Sequence, residues 1–293
     1  MIFSGSAVAV ITPFDCNLNV DYKAYDKILD FHLENKTDAI VVCGTTGEAA
    51  TMTEEERYDL IKYTVDKIQG KIPVIAGTGS NNTKAAGDFS KKVSEIGGLD
   101  GLLVVTPFYN KATKEGLYLH FKTIAASTNL PIILYTVPSR TNVSIDLDTL
   151  VKLSEIKNII GIKDASGDLD YTASLVKALP EDFGIYSGND NLTLPMLALG
   201  IDGSISVFAN IMPRENHDIY INFKQGNIDL ARKLHLKYID LIHSLFTEVN
   251  PVPLKAAASL MGLCSNELRL PLTRANEKTM NILKEKLKEF NLC

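Results

Sequence analysis

The stretch Ala7-Val8-Ala9-Val10-Ile11, running directly into Thr12-Pro13-Phe14-Asp15, decides the fold. An apolar run without alternation reads as a parallel strand covered on both faces. A doubly wound open sheet normally places a glycine fingerprint after its first strand, and here a Thr-Pro pair stands in that place. Working outward, similar runs recur at Ala39–Cys43, Pro73–Gly77, Gly101–Val105, Pro131–Tyr135, Ile159–Lys163, Gly184–Ser187 and Gly203–Val207. Amphipathic helical patterns separate them. Asp21 is placed to cap a helix with Tyr25, Ile28, Leu29 and Leu33 on its apolar face, and Thr53 with Glu56 forms a capping box before Tyr58–Ile68. Repeated βα units predict an α/β fold, a (β/α)8 TIM barrel over residues 1–224. Beyond residue 224 the pattern is helical only. Ala231, Leu234, Tyr238, Leu241 and Leu245 make one apolar stripe, and Thr273 is placed to cap a last helix with Met280, Leu283 and Leu287 inward. Residues 225–293 are therefore expected to form a C-terminal helical domain.

Of the 293 residues, 45% are hydrophobic and 22% charged, enough apolar material for a sizeable buried core. The net charge of −5, without a basic block, argues against nucleic acid or an anionic membrane as partner. Cys16, Cys43, Cys264 and Cys293 show no CxxC spacing and read as free thiols of a reducing compartment. With neither a signal-type leader nor a membrane-length apolar run, the expected location is the cytoplasm.

Barrel enzymes work at the C-terminal ends of their strands. Those ends carry Thr12-Pro13, Gly44-Thr45-Thr46-Gly47-Glu48, Gly77-Thr78-Gly79, Thr106-Pro107-Phe108-Tyr109, Tyr135, Lys163-Asp164, Ser187-Gly188 and Ser206. All five histidines (His32, His120, His217, His235, His243) fall in helical stretches without ligand spacing, so no metal is expected. Lys163 closes an apolar strand. One reading sends its ammonium out to solvent. The other keeps it in a partly desolvated mouth, where its pKa falls and a free amine can attack a carbonyl, with Tyr135 as proton shuttle. The Gly44–Glu48 turn reads either as a tight turn capped by its threonines or as an amide nest for a carboxylate. It lacks a P-loop lysine, and Gly77-Thr78-Gly79 fails the dinucleotide pattern at Asn82. Arg140 is either a loop arginine at the surface or the anchor of a second carboxylate.

Four segments together resemble the dihydrodipicolinate synthase (4-hydroxy-tetrahydrodipicolinate synthase) family. They are Gly44–Glu48, Tyr135-Thr136-Val137-Pro138-Ser139-Arg140-Thr141, Gly161-Ile162-Lys163-Asp164-Ala165-Ser166 and Asn250-Pro251-Val252-Pro253-Leu254-Lys255. The resemblance implies a barrel with C-terminal helices that condenses pyruvate with L-aspartate 4-semialdehyde on the route to diaminopimelate and lysine. It implies a covalent imine on Lys163 and no other cofactor. Tyr135, Thr45 and Tyr109 would form the proton relay, Tyr109 reaching a neighbouring subunit of a homodimer or homotetramer. Thr46 and the Ile205 backbone would hold pyruvate, with Gly188 beside it, and Arg140 would hold the semialdehyde.

Departures from the family pattern are Thr136, Asn142 and Gly188-Asn189-Asp190. The family's lysine-feedback positions carry Ala49, Glu54, Arg57, Ala85 and Phe108, with only Asn81 kept, which predicts weak or absent inhibition by lysine. N-acetylneuraminate lyase and 2-keto-acid aldolases of the same superfamily are the alternatives; Arg140 disfavours the lyase and the 2-keto-3-deoxy sugar-acid aldolases because their aldehydes are sugars, while hydroxy-oxoglutarate-type aldolases stay open. A non-catalytic binding protein on an inherited barrel would have lost part of the catalytic set, all of which is present. A phosphate-binding barrel would need an anion loop where Asn189–Ile201 reads as a helix with Leu192, Met196 and Leu199 inward.

Overall fold

A computed structural model describes every residue from Met1 to Cys293. The apolar runs become eight parallel strands that close in chain order into a barrel: β1 (Gly5–Ala9), β2 (Ala39–Val42), β3 (Val74–Gly77), β4 (Gly101–Val105), β5 (Ile132–Thr136), β6 (Ile159–Asp164), β7 (Gly184–Ser187) and β8 (Gly203–Ser206). Helices cross between them: α1 (Tyr22–Glu34), α2 (Glu54–Ile68), α3 (Thr83–Ser94), α4 (Lys114–Ala125), the short α5 (Pro138–Thr141), α6 (Leu147–Ser154), α7 (Leu169–Ala178), α8 (Thr193–Leu199) and α9 (Pro213–Lys224). None of the helices is long and apolar enough to cross a membrane.

Alternate residues of each strand serve two different cores, which is why the strands read as continuous apolar runs. Val8, Ile40, Val42, Val74, Leu102, Leu134 and Ile162 point outward into the large cluster shared with the helices. Each such fully buried Ile or Leu contributes about 1.5–3 kcal/mol, so this layer is the main stabilising term. Ala7, Ala9, Ala39, Val41, Ile75, Leu103, Ile133, Tyr135, Ala165, Tyr186 and Ile205 point inward and form a separate, smaller cluster. The interior is narrow. A Cβ at Gly161 would lie 2.6 Å from the Gly184 carbonyl oxygen, so only hydrogen fits there. Phe3 and Tyr186, stacked at 4.4 Å, belong to this interior cluster, and the Tyr186 hydroxyl donates to the Phe3 carbonyl.

Local signals fix the helix starts. Asp21 accepts from the Ala24 amide, and Thr53 and Glu56 form the reciprocal capping box. Two expectations are corrected. The last helix, α12 (Glu277–Glu289), is capped by Asn276 rather than Thr273, because Asn276 takes the extended conformation from which its side chain reaches the Thr279 amide. Asn189–Ile201 is not one helix: a 3-10 turn (Asp190–Leu192) precedes the seven-residue α8. This turns Met196 and Leu197 inward and leaves Leu199 36% exposed.

After α9 come α10 (Ile228–Ser244), α11 (Val252–Leu260) and α12. Tyr238, Leu241, Leu254, Leu283 and Leu287 belong to the same cluster as the barrel's outer layer. We propose 225–293 as an appended helical domain in topology only, since its packing is continuous with the barrel. The α10–α11 loop returns over the C-terminal end of the strands, where Phe246 and Asn250 reach the mouth of the barrel.

Two glycines should respond oppositely to alanine. Gly161→Ala forces backbone apart and is expected to cost about 1–3 kcal/mol, read as a lower urea midpoint. Gly87, inside α3, has nothing closer than 3.6 Å to an added Cβ. Gly87→Ala should stabilise the fold by about 0.5–1 kcal/mol by lowering the entropy of the unfolded chain, read as a higher urea midpoint. Equal responses at the two sites would contradict the narrow interior.

Candidate active site

Lys163 lies on the inward parity of β6, between Gly161 and Ala165. Strand register sets it beside Tyr135 on β5 and Tyr186 on β7. Its side chain does not escape to solvent: the residue is 5% exposed, and Nζ sits 4.5 Å from the centre of the Tyr135 ring. Burial pushes the amine down to about 8, with the Asp190 carboxylate pulling it up and the Arg140 guanidinium pushing it further down. Such an amine carries a substantial neutral, nucleophilic fraction near neutral pH. Gly188, across from it, must lack a side chain. A Cβ there would lie 2.9 Å from Lys163 Cε and 2.6 Å from Ala165 Cβ.

Tyr135 is also buried, and burial raises its phenol above the ordinary value while Arg140 and the nearby Thr45 hydroxyl oppose this. It therefore remains a neutral phenol that can both donate and accept a proton. The turn bearing Thr45 follows β2 and is tightly wound. Cys43 and Glu48 both take left-handed φ of 54°, a conformation costing about 1–3 kcal/mol for non-glycine residues. The turn persists because its groups are held from outside: Thr12 Oγ1 donates to the Gly47 carbonyl at 2.7 Å, and Asn250 Nδ2 donates to Thr46 Oγ1 at 3.0 Å.

Arg140 rides on α5, which Pro138 starts and Asn142, with φ of 54°, ends. The guanidinium leans over the mouth and donates to the Asn250 carbonyl at 2.9 Å. These elements surround a cavity of about 210 Å³, the size of a small carboxylic acid and its partner. Thr45, Thr46, Tyr135, Arg140, Lys163 and Gly188 all line it.

Two expected residues do not. Ile205 is fully buried in the interior cluster, and its side chain does not face the cavity. Tyr109 is 93% exposed with φ of 74°, and no contact within this chain brings it to Lys163. Nowhere do three His, Cys, Asp or Glu side chains gather in a geometry suited to a metal ion.

Residue chemistry alone missed several members of the site. Asn250 joins Thr46 to Arg140 and keeps its own Oδ1 buried without a partner. Its only signal was its place in the Asn250–Lys255 segment. Asp190 is buried and accepts from the Val207 and Phe208 amides, so its charge is directed at Lys163 from a fixed position. Phe246, half exposed, walls the mouth from a loop with no periodicity to betray it.

Comparison with known proteins agrees with this geometry. The family model described as the dihydrodipicolinate synthetase family matches residues 2–290. The chain is 49% identical over 292 residues to the 4-hydroxy-tetrahydrodipicolinate synthase of Clostridium tetani, covering 99% of each. It is 50% identical to 4-hydroxy-tetrahydrodipicolinate synthase 1 of Clostridium acetobutylicum, again covering 99% of each. The crystal structure of dihydrodipicolinate synthase from Aquifex aeolicus superposes with a TM-score of 0.97 at 47% identity, over 99% of each chain. Likeness of this extent, in sequence and in fold, leaves no segment of the barrel or its helices outside it, and the chain belongs to the dihydrodipicolinate synthetase family of enzymes.

Proposed function

We propose that this protein is a 4-hydroxy-tetrahydrodipicolinate synthase that joins pyruvate to L-aspartate 4-semialdehyde through an imine on Lys163, in diaminopimelate and lysine biosynthesis. The observation that carries the reading is the buried Lys163 amine, lowered to about 8, facing a small cavity beside Tyr135. The neutral amine attacks the keto carbon of pyruvate. Tyr135, coupled to Thr45, supplies the proton on which water leaves, and the resulting imine withdraws electrons from the methyl carbon. Loss of a methyl proton gives an enamine, whose carbon adds to the aldehyde. The ring nitrogen of the product comes from the semialdehyde's own amine. That amine must therefore attack the imine carbon and release Lys163, returning it for the next turnover.

Thr46 and the Ile205 backbone, with Gly188 leaving room, hold the pyruvate. Arg140 holds the carboxylate of the semialdehyde, a role its guanidinium suits through paired hydrogen bonds. Tyr109 completes the relay in a second copy of the chain. Its ring is exposed and free to reach a second copy, and this role requires at least a homodimer. No cofactor other than the imine and no nucleic-acid or membrane partner belongs to this reading, and its location is the cytoplasm.

Borohydride reduction with pyruvate, followed by mass mapping, tests the chemistry. A pyruvyl adduct is expected on Lys163 alone, and an adduct elsewhere, or none, would sink the reading. Sugar-derived keto acids or aldehydes turning over faster than aspartate semialdehyde would favour the sugar-acid lyases. The attacking form is the deprotonated one, so trapping should accelerate between about pH 7 and about pH 9 and level off above the lowered pKa. A flat profile would mean that the amine is not the group titrating.

Gly188→Val should lower kcat/KM for pyruvate by at least about 100-fold, because the new side chain displaces Lys163 Cε from its attack position. Lysine should have little effect as an inhibitor. The Arg57 guanidinium, 4.1 Å over the Phe89 ring, is a fixed cation in the feedback region, and Glu54 is already paired with Lys92 at 2.9 Å. Half-inhibition by L-lysine below about 1 mM would contradict this.

A further inference from the structure

Glu48 and Lys255 form the one ion pair in this chain with both side chains out of solvent. Nζ lies 2.5 Å from Oε1, and the two side chains are 0% and 1% exposed. Removing two charges from water is costly enough that such a pair seldom stabilises more than apolar residues of the same shape. Its meaning lies in what it connects. Glu48 closes the turn that carries Thr45 and Thr46, whereas Lys255 belongs to α11, near the other end of the chain.

The carboxylate is held at both oxygens, Oε1 by the ion pair alone and without a hydrogen bond of good geometry. Its Oε2 accepts from the Arg269 amide at 3.2 Å. The ammonium is itself fixed: Nζ donates to the Glu267 carbonyl at 2.7 Å and stands 4.0 Å from the centre of the Phe14 ring. Arg269 also packs on this ring, 4.4 Å from its centre, and its guanidinium pairs with Glu56 at 2.5 Å at the start of α2. The C-terminal segment thus holds the turn from behind at Glu48, and the α10–α11 loop holds it from the front through Asn250 and Thr46. Between these two tethers stand the hydroxyls that face the cavity.

We propose that Glu48 and Lys255 are positioning residues, and that their buried ion pair lets the C-terminal helices set where Thr45 and Thr46 stand in the barrel mouth. The inference rests on the reading that Thr45 relays protons and Thr46 binds pyruvate. It assigns the appended helices a catalytic consequence although none of them carries the reacting amine. Without the pair, the strained left-handed residue at 48 loses its strongest side-chain tether, and the turn shifts within the hold that Thr12 and Asn250 still give it. Lys163, on β6, stays where it is.

The test compares the full-length wild type with Glu48→Gln and with the double variant Glu48→Gln/Lys255→Met. Lys255→Met alone would strand a buried carboxylate and can fail to fold. In Glu48→Gln the lysine can shed its proton, so this variant keeps the side-chain volume and leaves no charge unpaired while losing the ion pair. Urea midpoints establish that each variant is folded. Both are expected to form the pyruvyl adduct on Lys163 at saturating pyruvate. Both should raise the KM for pyruvate and lower kcat, with kcat/KM falling about tenfold or more, while the KM for the semialdehyde stays within about twofold. Folded variants with wild-type constants for pyruvate would overturn the proposal, as would an equal rise in both KM values, which a general loosening of the fold would produce. Failure of the wild type to trap pyruvate would instead refute the imine reading on which the proposal stands.

Discussion

The burial of one amine in a narrow apolar tube is the constraint to which the rest of the site answers. Lys163 occupies an inward position of a barrel whose other inward residues are glycine, alanine, branched aliphatics and a few aromatics. Desolvation there disfavours the ammonium and brings its pKa to about 8. The charge is not abandoned, because the Asp190 carboxylate, itself fixed by two backbone amides, pulls the other way. Tyr135 lies against the amine for the same geometric reason, being its register partner on the neighbouring strand. Gly188 leaves Lys163 Cε uncrowded because it has no side chain there.

Around this centre the chain divides its labour between rigid and adjustable parts. The strands fix the amine and the phenol to within the tolerance of a hydrogen-bonded sheet. The turn after β2 and the short α5 lie outside the sheet, and each depends on the α10–α11 loop for its position. Asn250 is the shared point, giving its amide to Thr46 and its carbonyl to Arg140. The Thr46 side and the Arg140 side of the cavity are therefore mechanically joined through one residue of the C-terminal helical segment.

Most of the fold was legible because its determinants are local. Eight apolar runs gave the strands to within two residues, and Asp21, Thr53 and Glu56 gave their helix starts through backbone hydrogen bonds made within a few residues. The misreadings have the same origin in reverse. Thr273 and Asn276 are both able to cap, and only the path of the chain over the barrel puts Asn276 in the extended conformation that does so. Leu199 fits a helical period counted from Leu192, but the 3-10 turn at Asp190–Leu192 shifts the phase and leaves Leu197 inward in its place.

Sequence by itself determined the barrel, the strand ends that carry Lys163, Tyr135 and the threonine turn, and the absence of histidine from those ends. These follow from periodicity and residue type, which are written along the chain. It could not decide between a lysine that reaches solvent and one that is buried, since a residue at a strand end has both options until the neighbouring strands are in place. Tertiary structure decided that question, and with it the contacts of Asp190, Asn250, Glu48 and Lys255. The physical reason is common to all of them. A pKa, a buried ion pair and a tethered turn are properties of groups brought together from distant parts of the chain, and no local pattern encodes the distance between them.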